Sequence, residues 1–146
     1  MAISAAARHR AQDLIDFIDA SPSPWHAVAS CSARLRAGGF TPLEEDQRWQ
    51  LVAGGRYFVS RGGASLIAFV VGGDPLAETG LRLVGAHTDS PGLRLKPRPA
   101  LGGDGLVRLG VEVYGGPILA TFADRDLSLA GRVHVRHGGG VAARLL

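Results

Sequence analysis

A histidine and an aspartate follow an apolar run in the segment 83-LVGAHTDSP-91, where His87 and Asp89 stand two residues apart. In an extended backbone, the side chains of residues i and i+2 point to the same face. A carboxylate placed there can accept a hydrogen bond from one imidazole nitrogen, which fixes the tautomer and makes the other nitrogen a better metal ligand. The pair therefore indicates either one corner of a metal site or an ordinary strand end with polar residues in its loop.

The remaining histidines offer weaker candidates for chemistry. His9 lies in a polar N-terminal segment, and His134 alternates with valines in a predicted strand. His134 and His137 could form a metal pair, but no acidic ligands stand beside them. His26 falls near a predicted helix start, where the helix dipole disfavours a positive charge. We therefore expect a neutral His26 imidazole that makes a structural hydrogen bond.

The elements that must position His87 are predicted from apolar periodicity and from capping residues. Residues 4–19 are typical of a helix, because apolar residues recur between aspartates. Ser23 as N-cap and Pro24 in the first turn predict a second helix that ends at Gly38-Gly39.

Strands are predicted for much of the remaining chain. Residues 55–73 are typical of a β-hairpin whose second strand is covered on both faces. Residues 81–86 predict a strand that delivers His87 to its end, the usual place for ligands in open α/β sheets. We also predict a turn at 41–46, a loop at 74–80 and a turn at 102–105. Three further strands are predicted: one at 106–116, one that ends at residue 135, and one that begins at residue 141.

Composition excludes several classes of function. The chain has 146 residues, of which 46% are hydrophobic and 20% charged, which is typical of a globular domain. The net charge is +3, but the arginines are scattered along the chain. A nucleic-acid interface would need a clustered basic patch, so we expect no nucleic-acid partner.

Cysteine and apolar patterning set further bounds. Cys31 is the only cysteine, which excludes a disulfide and a cysteine-based zinc site within the chain. Aspartates interrupt the N-terminal segment before it could form a signal peptide or a membrane span. We therefore expect a cytoplasmic protein without a membrane partner.

Four segments together resemble the aspartyl aminopeptidases, the M18 family of zinc metalloaminopeptidases. They occur in the family's order and cover nearly the whole chain: 21-SPSPWHAV-28, 55-GRYFVSRGGASLIAFVVG-72, 85-GAHTDSPGLRLKP-97, and 111-VEVYGGPI-118 followed by 124-DRDLSLAGRV-133. The third and the last of these are specific. One departure is Phe122, which stands where the family usually has tryptophan before its DRDL motif.

The resemblance implies a role for both residues of the first pair. His87 matches a zinc ligand of the family, and Asp89 matches the residue that orients this ligand. It further implies two zinc ions per complete site, a downstream glutamate as general base, and peptide substrates with an N-terminal Asp or Glu. The family's other ligands lie beyond residue 146, so we expect this chain alone to bind zinc weakly and to lack peptidase activity. The full-length protein is expected to be a homo-oligomer.

The fold that the resemblance implies is an α/β fold of the zinc-exopeptidase kind, a mixed sheet with flanking helices. Residues 1–130 would be the N-terminal part of the peptidase domain. Residues 131–146 would begin an inserted dimerisation domain that is cut short, because the apolar run from Val141 simply stops.

Two alternatives to the enzyme remain open from the residues. The chain could be a catalytically inactive, truncated product that acts as a binding or assembly partner, with the apolar end at Val141–Leu146 adding a strand to another chain. It could also be an unrelated α/β binding module in which His87 is an ordinary loop residue.

Overall fold

The computed structural model describes residues 3–146 of the chain. These residues form two compact units. The first unit comprises the residues up to Thr88 together with Leu129–Leu146, and the second comprises Asp89–Ser128. His87 therefore lies near the end of a stretch of the first unit, and Asp89 is the first residue of the second.

Two helices begin the first unit, as the sequence predicts. Helix α1 spans Ala5–Asp19, and the Ser4 hydroxyl caps it by accepting a hydrogen bond from the Ala7 amide. Helix α2 spans Pro24–Ala37, with Ser23 as N-cap and proline in the first turn. The chain leaves α2 through Gly39, whose φ of 79° is accessible to glycine at little cost. Both predicted helices and the glycine stop are confirmed.

A three-stranded mixed sheet follows the helices, in the order β1-β2-β3. Strand β1 (Thr41–Leu43) pairs parallel with β2 (Arg56–Arg61), which pairs antiparallel with β3 (Ser65–Val70). The predicted hairpin is confirmed, but the predicted turn at 41–46 is wrong over its first three residues. Parallel pairing with β2 extends them, and an edge strand tolerates Pro42 because it does not need every amide as a donor.

The core of the described chain is built from residues of α2 and of both faces of β2. Ala27 and Val28 of α2 are buried, as are Tyr57, Phe58 and Val59 of β2. Strand β3 was expected to be covered on both faces, but Ile67 is 67% exposed. The apolar composition of β3 therefore exceeds what this fold covers.

The segment that leads to His87 differs from the prediction. The predicted loop at 74–80 contains a single helical turn, α3 (Leu76–Thr79). The predicted strand at 81–86 is wrong, because these residues have no regular secondary structure. A strand is stable only when a neighbour accepts and donates its ladder hydrogen bonds, and no described strand pairs with this segment. Val84 is consequently fully exposed.

The second unit is built on one long hairpin. Strand β4 (Gly92–Gly103) pairs antiparallel with β5 (Leu106–Tyr114), and the register shifts between Leu95 and Ala100. The two-residue loop, Asp104-Gly105, has positive φ at both positions, 53° and 75°, as tight hairpin turns of the type I′ class require. The predicted turn and the predicted second strand are confirmed. A single 3-10 turn at Leu119–Thr121 follows.

The chain returns to the first unit with a last hairpin, β6 (Arg132–His137) and β7 (Gly140–Leu145). The Arg132 guanidinium donates to the Gly62 carbonyl at 2.7 Å and lies 5.2 Å from the Trp25 ring centroid. These contacts join the hairpin to the turn after β2. The assignment of 131–146 to an inserted dimerisation domain stays a prediction. Within residues 3–146, no helix is long and apolar enough to cross a membrane.

Candidate functional site

His87 is held in place through its neighbour and not through a strand. Its side chain is exposed at the end of the irregular segment. The hydroxyl of the next residue, Thr88, donates to the Ala64 carbonyl at 2.7 Å, and Thr88 itself is half-buried. Ala64 lies in the tight turn between β2 and β3, so this hydrogen bond ties the chain beside His87 to the first sheet.

Asp89 is half-buried and accepts a hydrogen bond from a tyrosine of the second unit. The donor is the hydroxyl of Tyr114, the last residue of β5, and the acceptor is Asp89 Oδ2. This hydrogen bond, aided by the negative charge of the carboxylate, raises the pKa of Tyr114 above its usual value, although the nearby Arg94 opposes the shift. Tyr114 is therefore a protonated donor to Asp89 at neutral pH.

The Tyr114 ring is fixed by the register of the hairpin. Gly92 of β4 pairs with Tyr114, and Arg94 lies two residues further along β4. Residues i and i+2 of a strand share a face. The Arg94 guanidinium carbon lies 3.2 Å from the Tyr114 ring centroid, an attractive cation–π contact.

Pro91, just before β4, and Gly115, just after β5, also approach each other closely. A Cβ at Gly115 would lie 3.3 Å from the Pro91 Cβ, and Gly115 has a φ of 69°. Glycine therefore meets both a conformational and a spatial requirement at position 115.

The donor types present suit zinc, but the described set is too small for a complete site. Imidazole nitrogen and carboxylate oxygen are both zinc ligands, and a catalytic zinc is held by three protein ligands. Within residues 3–146, no group of three or more His, Cys, Asp and Glu side chains could hold a metal ion. His87 and Asp89 can accordingly supply only part of a donor set.

The other four histidines differ in their surroundings. His26 Nδ1 lies 2.7 Å from the Ser23 hydroxyl oxygen, which confirms the predicted structural hydrogen bond. His9 is exposed on α1, and His134 and His137 are exposed on β6.

The contact between Tyr114 and Asp89 was not predicted from the sequence. The available signal was the presence of Tyr114 in the segment 111-VEVYGGPI-118, which carries the family resemblance. Nothing in that segment alone shows which residue its hydroxyl reaches, because the contact depends on how β4 and β5 are aligned.

Comparison with known proteins gives a consistent family. The family described as aminopeptidase I zinc metalloprotease (M18) matches residues 17–146. A relative from Stutzerimonas stutzeri (strain A1501), described as probable M18 family aminopeptidase 2, is 56% identical over 135 residues. That match covers 92% of this chain and 32% of the relative. The chain thus spans about a third of the length of the curated relatives it matches.

Solved structures agree with the sequence comparison. The structure of Chaetomium thermophilum mApe1 is similar with a TM-score of 0.86 and 36% identity, over 94% of this chain and 32% of that one. The structure of the S. cerevisiae mApe1 dodecamer is similar with a TM-score of 0.83 and 33% identity, over 92% of this chain and 32% of that one. The mixed α/β architecture is therefore that of the corresponding third of these proteins.

Proposed function

Because the chain belongs to the aminopeptidase I zinc metalloprotease (M18) family, we propose that it forms part of a metalloaminopeptidase that removes N-terminal Asp or Glu from peptides. The observation that carries this proposal is the family match over residues 17–146, which includes the segment around His87 and Asp89. The activity is proposed for a protein with the length of its relatives, since the chain spans about a third of them.

Within that enzyme, we assign His87 as a ligand of one of two zinc ions and Asp89 as the residue that orients it. Asp89 would accept the hydrogen bond of the imidazole nitrogen that faces away from the metal, which keeps the other nitrogen available as a ligand. When bound, zinc supplies Lewis acidity and lowers the pKa of water. The hydrogen bond from Thr88 to Ala64 would hold the backbone beside the ligand while substrate binds.

The 146-residue chain alone is proposed to be inactive. The described residues provide no metal-binding group of three or more donors, whereas a catalytic zinc is held by three protein ligands and keeps an open position. We expect the purified, zinc-supplied chain to show no hydrolysis of an aspartyl or glutamyl anilide. Measurable, chelator-sensitive hydrolysis by this chain would contradict that expectation.

The oligomeric state is proposed from a relative, and the cellular location from the sequence. The S. cerevisiae relative is described as a dodecamer, so we propose that the full-length protein is a homo-oligomer. We propose a cytoplasmic location from the sequence pattern alone.

A catalytically inactive binding partner is the second candidate function. The observation that favours it is the exposed apolar segment before His87, where Leu83 is 85% exposed and Val84 fully exposed. An exposed segment without a strand partner can add a strand to another chain. Under this alternative, replacement of the segment's apolar side chains by polar ones would abolish partner binding, and the chain would hydrolyse no peptide before or after the change.

A chimera tests the proposed activity and its specificity. This chain would replace the matching third of the S. stutzeri relative, and hydrolysis of Asp-, Glu-, Leu- and Lys-anilides would be measured beside the unchanged relative. We expect Asp and Glu substrates to be cleaved with a kcat/KM roughly tenfold or more above the others, because a site built for a carboxylate leaves polar groups unpaired with an apolar residue. A folded chimera that cleaves all four equally would overturn the acidic specificity.

A further inference from the structure

Residues 89–97 and 111–118, which belong to two of the segments that carry the family resemblance, both lie in the second unit. Residues 89–92 meet residues 114–115 at three points. The Tyr114 hydroxyl donates to Asp89 Oδ2, the backbone of Tyr114 pairs with Gly92, and Gly115 approaches Pro91. The end of β5 therefore packs against residues 89–92.

The Tyr114 ring and the Tyr114 hydroxyl have separable tasks. Arg94 contacts the ring, and the backbone pairing with Gly92 does not involve the side chain. The hydroxyl alone reaches the Asp89 carboxylate. Arg94 also interacts with the hydroxyl, so removal of the hydroxyl should leave the backbone pairing of the hairpin intact and change the contacts that the hydroxyl makes with Asp89 and Arg94.

A carboxylate needs such a partner if it is to orient another group. The terminal torsion of an aspartate side chain is broad, so the carboxylate can rotate at low cost unless its oxygens are bound. A hydrogen bond to an ionised acceptor is about twice as strong as one between neutral groups. One donor on Oδ2 therefore restricts the direction in which Asp89 presents its oxygens.

We propose that Tyr114 is a positioning residue that acts through Asp89, because its hydroxyl fixes the rotation of the carboxylate that orients the His87 imidazole. The proposal rests on the proposed function, in which Asp89 orients the metal ligand. It adds Tyr114, a residue of β5, to the residues that would hold the proposed metal ligand His87 in its orientation.

The test reads the His87 tautomer without any metal. Long-range ¹H–¹⁵N correlation spectra of the labelled chain, at about pH 8 where a histidine of ordinary pKa is neutral, give the ratio of the two imidazole tautomers. In Tyr114→Phe, we expect the ratio to move towards equality by about threefold or more, as the loss of one net hydrogen bond allows. The matched control is Tyr57→Phe, which removes a hydroxyl that accepts from the Val52 amide at 3.2 Å. It should leave the His87 ratio unchanged.

An unchanged His87 tautomer ratio in a folded Tyr114→Phe chain would overturn the proposal. If far-UV circular dichroism shows that this variant loses its hairpin, 3-fluorotyrosine at position 114 replaces it, since it keeps the ring and makes the hydroxyl a stronger donor. We expect the ratio to change in that chain as well, and an unchanged ratio would again overturn the proposal.

A zinc titration separates this inference from the proposed function. His87→Ala should abolish the zinc-dependent changes in the spectrum, whereas Tyr114→Phe should shift the zinc midpoint to higher concentration by up to roughly tenfold. If His87→Ala leaves zinc binding unchanged, the proposed ligand role fails, and the metal-free tautomer ratio still decides the role of Tyr114.

Discussion

Ser23 serves two groups at the start of α2. Its hydroxyl oxygen lies 2.7 Å from His26 Nδ1 and also accepts from the His26 amide as the helix cap. Its side chain is buried beside Ala27 and Val28, two residues of the small core. The segment 21-SPSPWHAV-28 thus supports the helix that covers the first sheet.

Replacement of Ser23 by alanine should destabilise α2. We expect a cost of about 1 kcal/mol, because an N-cap residue satisfies amide donors that otherwise lack a partner. Amide hydrogen exchange of α2 measures the effect, and Ser23→Thr should largely retain the cap. The matched control is Ser4→Ala, which removes the corresponding cap of α1, a helix without buried residues. Unchanged exchange of the α2 amides after Ser23→Ala would contradict this role.

The residue types at the candidate site could be predicted from the sequence, but their surroundings could not. His87 and Asp89 are two residues apart and follow an apolar run, so local spacing sufficed to single them out. The partner of Asp89 is Tyr114, and the pairing of Gly92 with Tyr114 brings it there. That pairing depends on the whole register of a long hairpin, which no local pattern specifies.

Gly115 is a position in the second unit where glycine meets two requirements, a positive φ and a close approach to Pro91. Gly115→Ala places a Cβ 3.3 Å from the Pro91 Cβ at a φ of 69°. We expect the hairpin β4–β5 to lose about 1–2 kcal/mol, the cost of a left-handed conformation for a residue with a Cβ. Hydrogen exchange of the hairpin amides provides the measurement.

Gly116→Ala is the matched control for this change, because a Cβ at Gly116 would have no heavy atom within 4 Å. It should leave the exchange of the hairpin amides nearly unchanged. Equal effects of the two alanines would contradict a requirement for glycine that is specific to position 115.

Helix α1 is held against α2 mainly by polar contacts. The Arg34 guanidinium donates to Asp13 Oδ2 at 2.8 Å and to the Asp13 carbonyl at 3.1 Å. Its Cζ lies 5.1 Å from the Phe17 ring centroid. No residue of α1 from Ala5 to Asp19 is buried, so these contacts decide where the helix lies.

The attachment of α1 should weaken in acid. The hydrogen bond from Arg34 holds the pKa of the Asp13 carboxyl below its usual value of 3.8. Since the folded-state pKa is lowered, the stabilisation is fully present above pH 3.8 and is lost as the pH falls through the lower, folded-state pKa. Amide spectra of α1 recorded from neutral pH downwards should show loosening only at the acid end.

Asp13→Asn should loosen α1 already at neutral pH and remove the acid-dependent step. Asp19→Asn, which removes a carboxylate from the end of the same helix, is the control and should behave like the unchanged chain. An acid transition that persists in Asp13→Asn would assign it to another group.

The elements divide into those with local signals and those that need partners. The cap at Ser23 and the glycines after Ala37 fixed α2 at both ends, and the Asp104-Gly105 turn fixed the long hairpin. The strand predicted at 81–86 is wrong because apolar composition is necessary for a strand but does not provide a neighbour. The short strand β1 was missed for the converse reason, since its partner β2 imposes it.

At the scale of the whole molecule, many large apolar side chains of the described residues are exposed. Monomeric proteins rarely expose large contiguous apolar patches, yet Leu81, Leu83 and Val84 are 70%, 85% and 100% exposed. The chain also spans about a third of its curated relatives. Within residues 3–146, no group of three or more His, Cys, Asp and Glu side chains could hold a metal ion, so the sequence offered no complete metal site to predict.

Because these apolar side chains are exposed, the isolated chain should self-associate as its concentration rises. Sedimentation velocity measures this, and the double substitution Leu83→Ser and Val84→Thr should reduce the associated fraction. Leu76→Ser is the control, because Leu76 is 58% exposed but lies on a helical turn outside this segment. A monomer over a wide concentration range would contradict the role given to this surface.

The central claim is that His87 binds the zinc of an aminopeptidase, and the zinc content of the chimera with the S. stutzeri relative tests it most directly. We expect His87→Ala to lower the zinc content by roughly half, since one of the two proposed metals would lose a ligand, and to abolish aminopeptidase activity. His134→Ala, which removes an exposed histidine of β6, should change neither quantity. Full zinc content and full activity in His87→Ala would contradict the account.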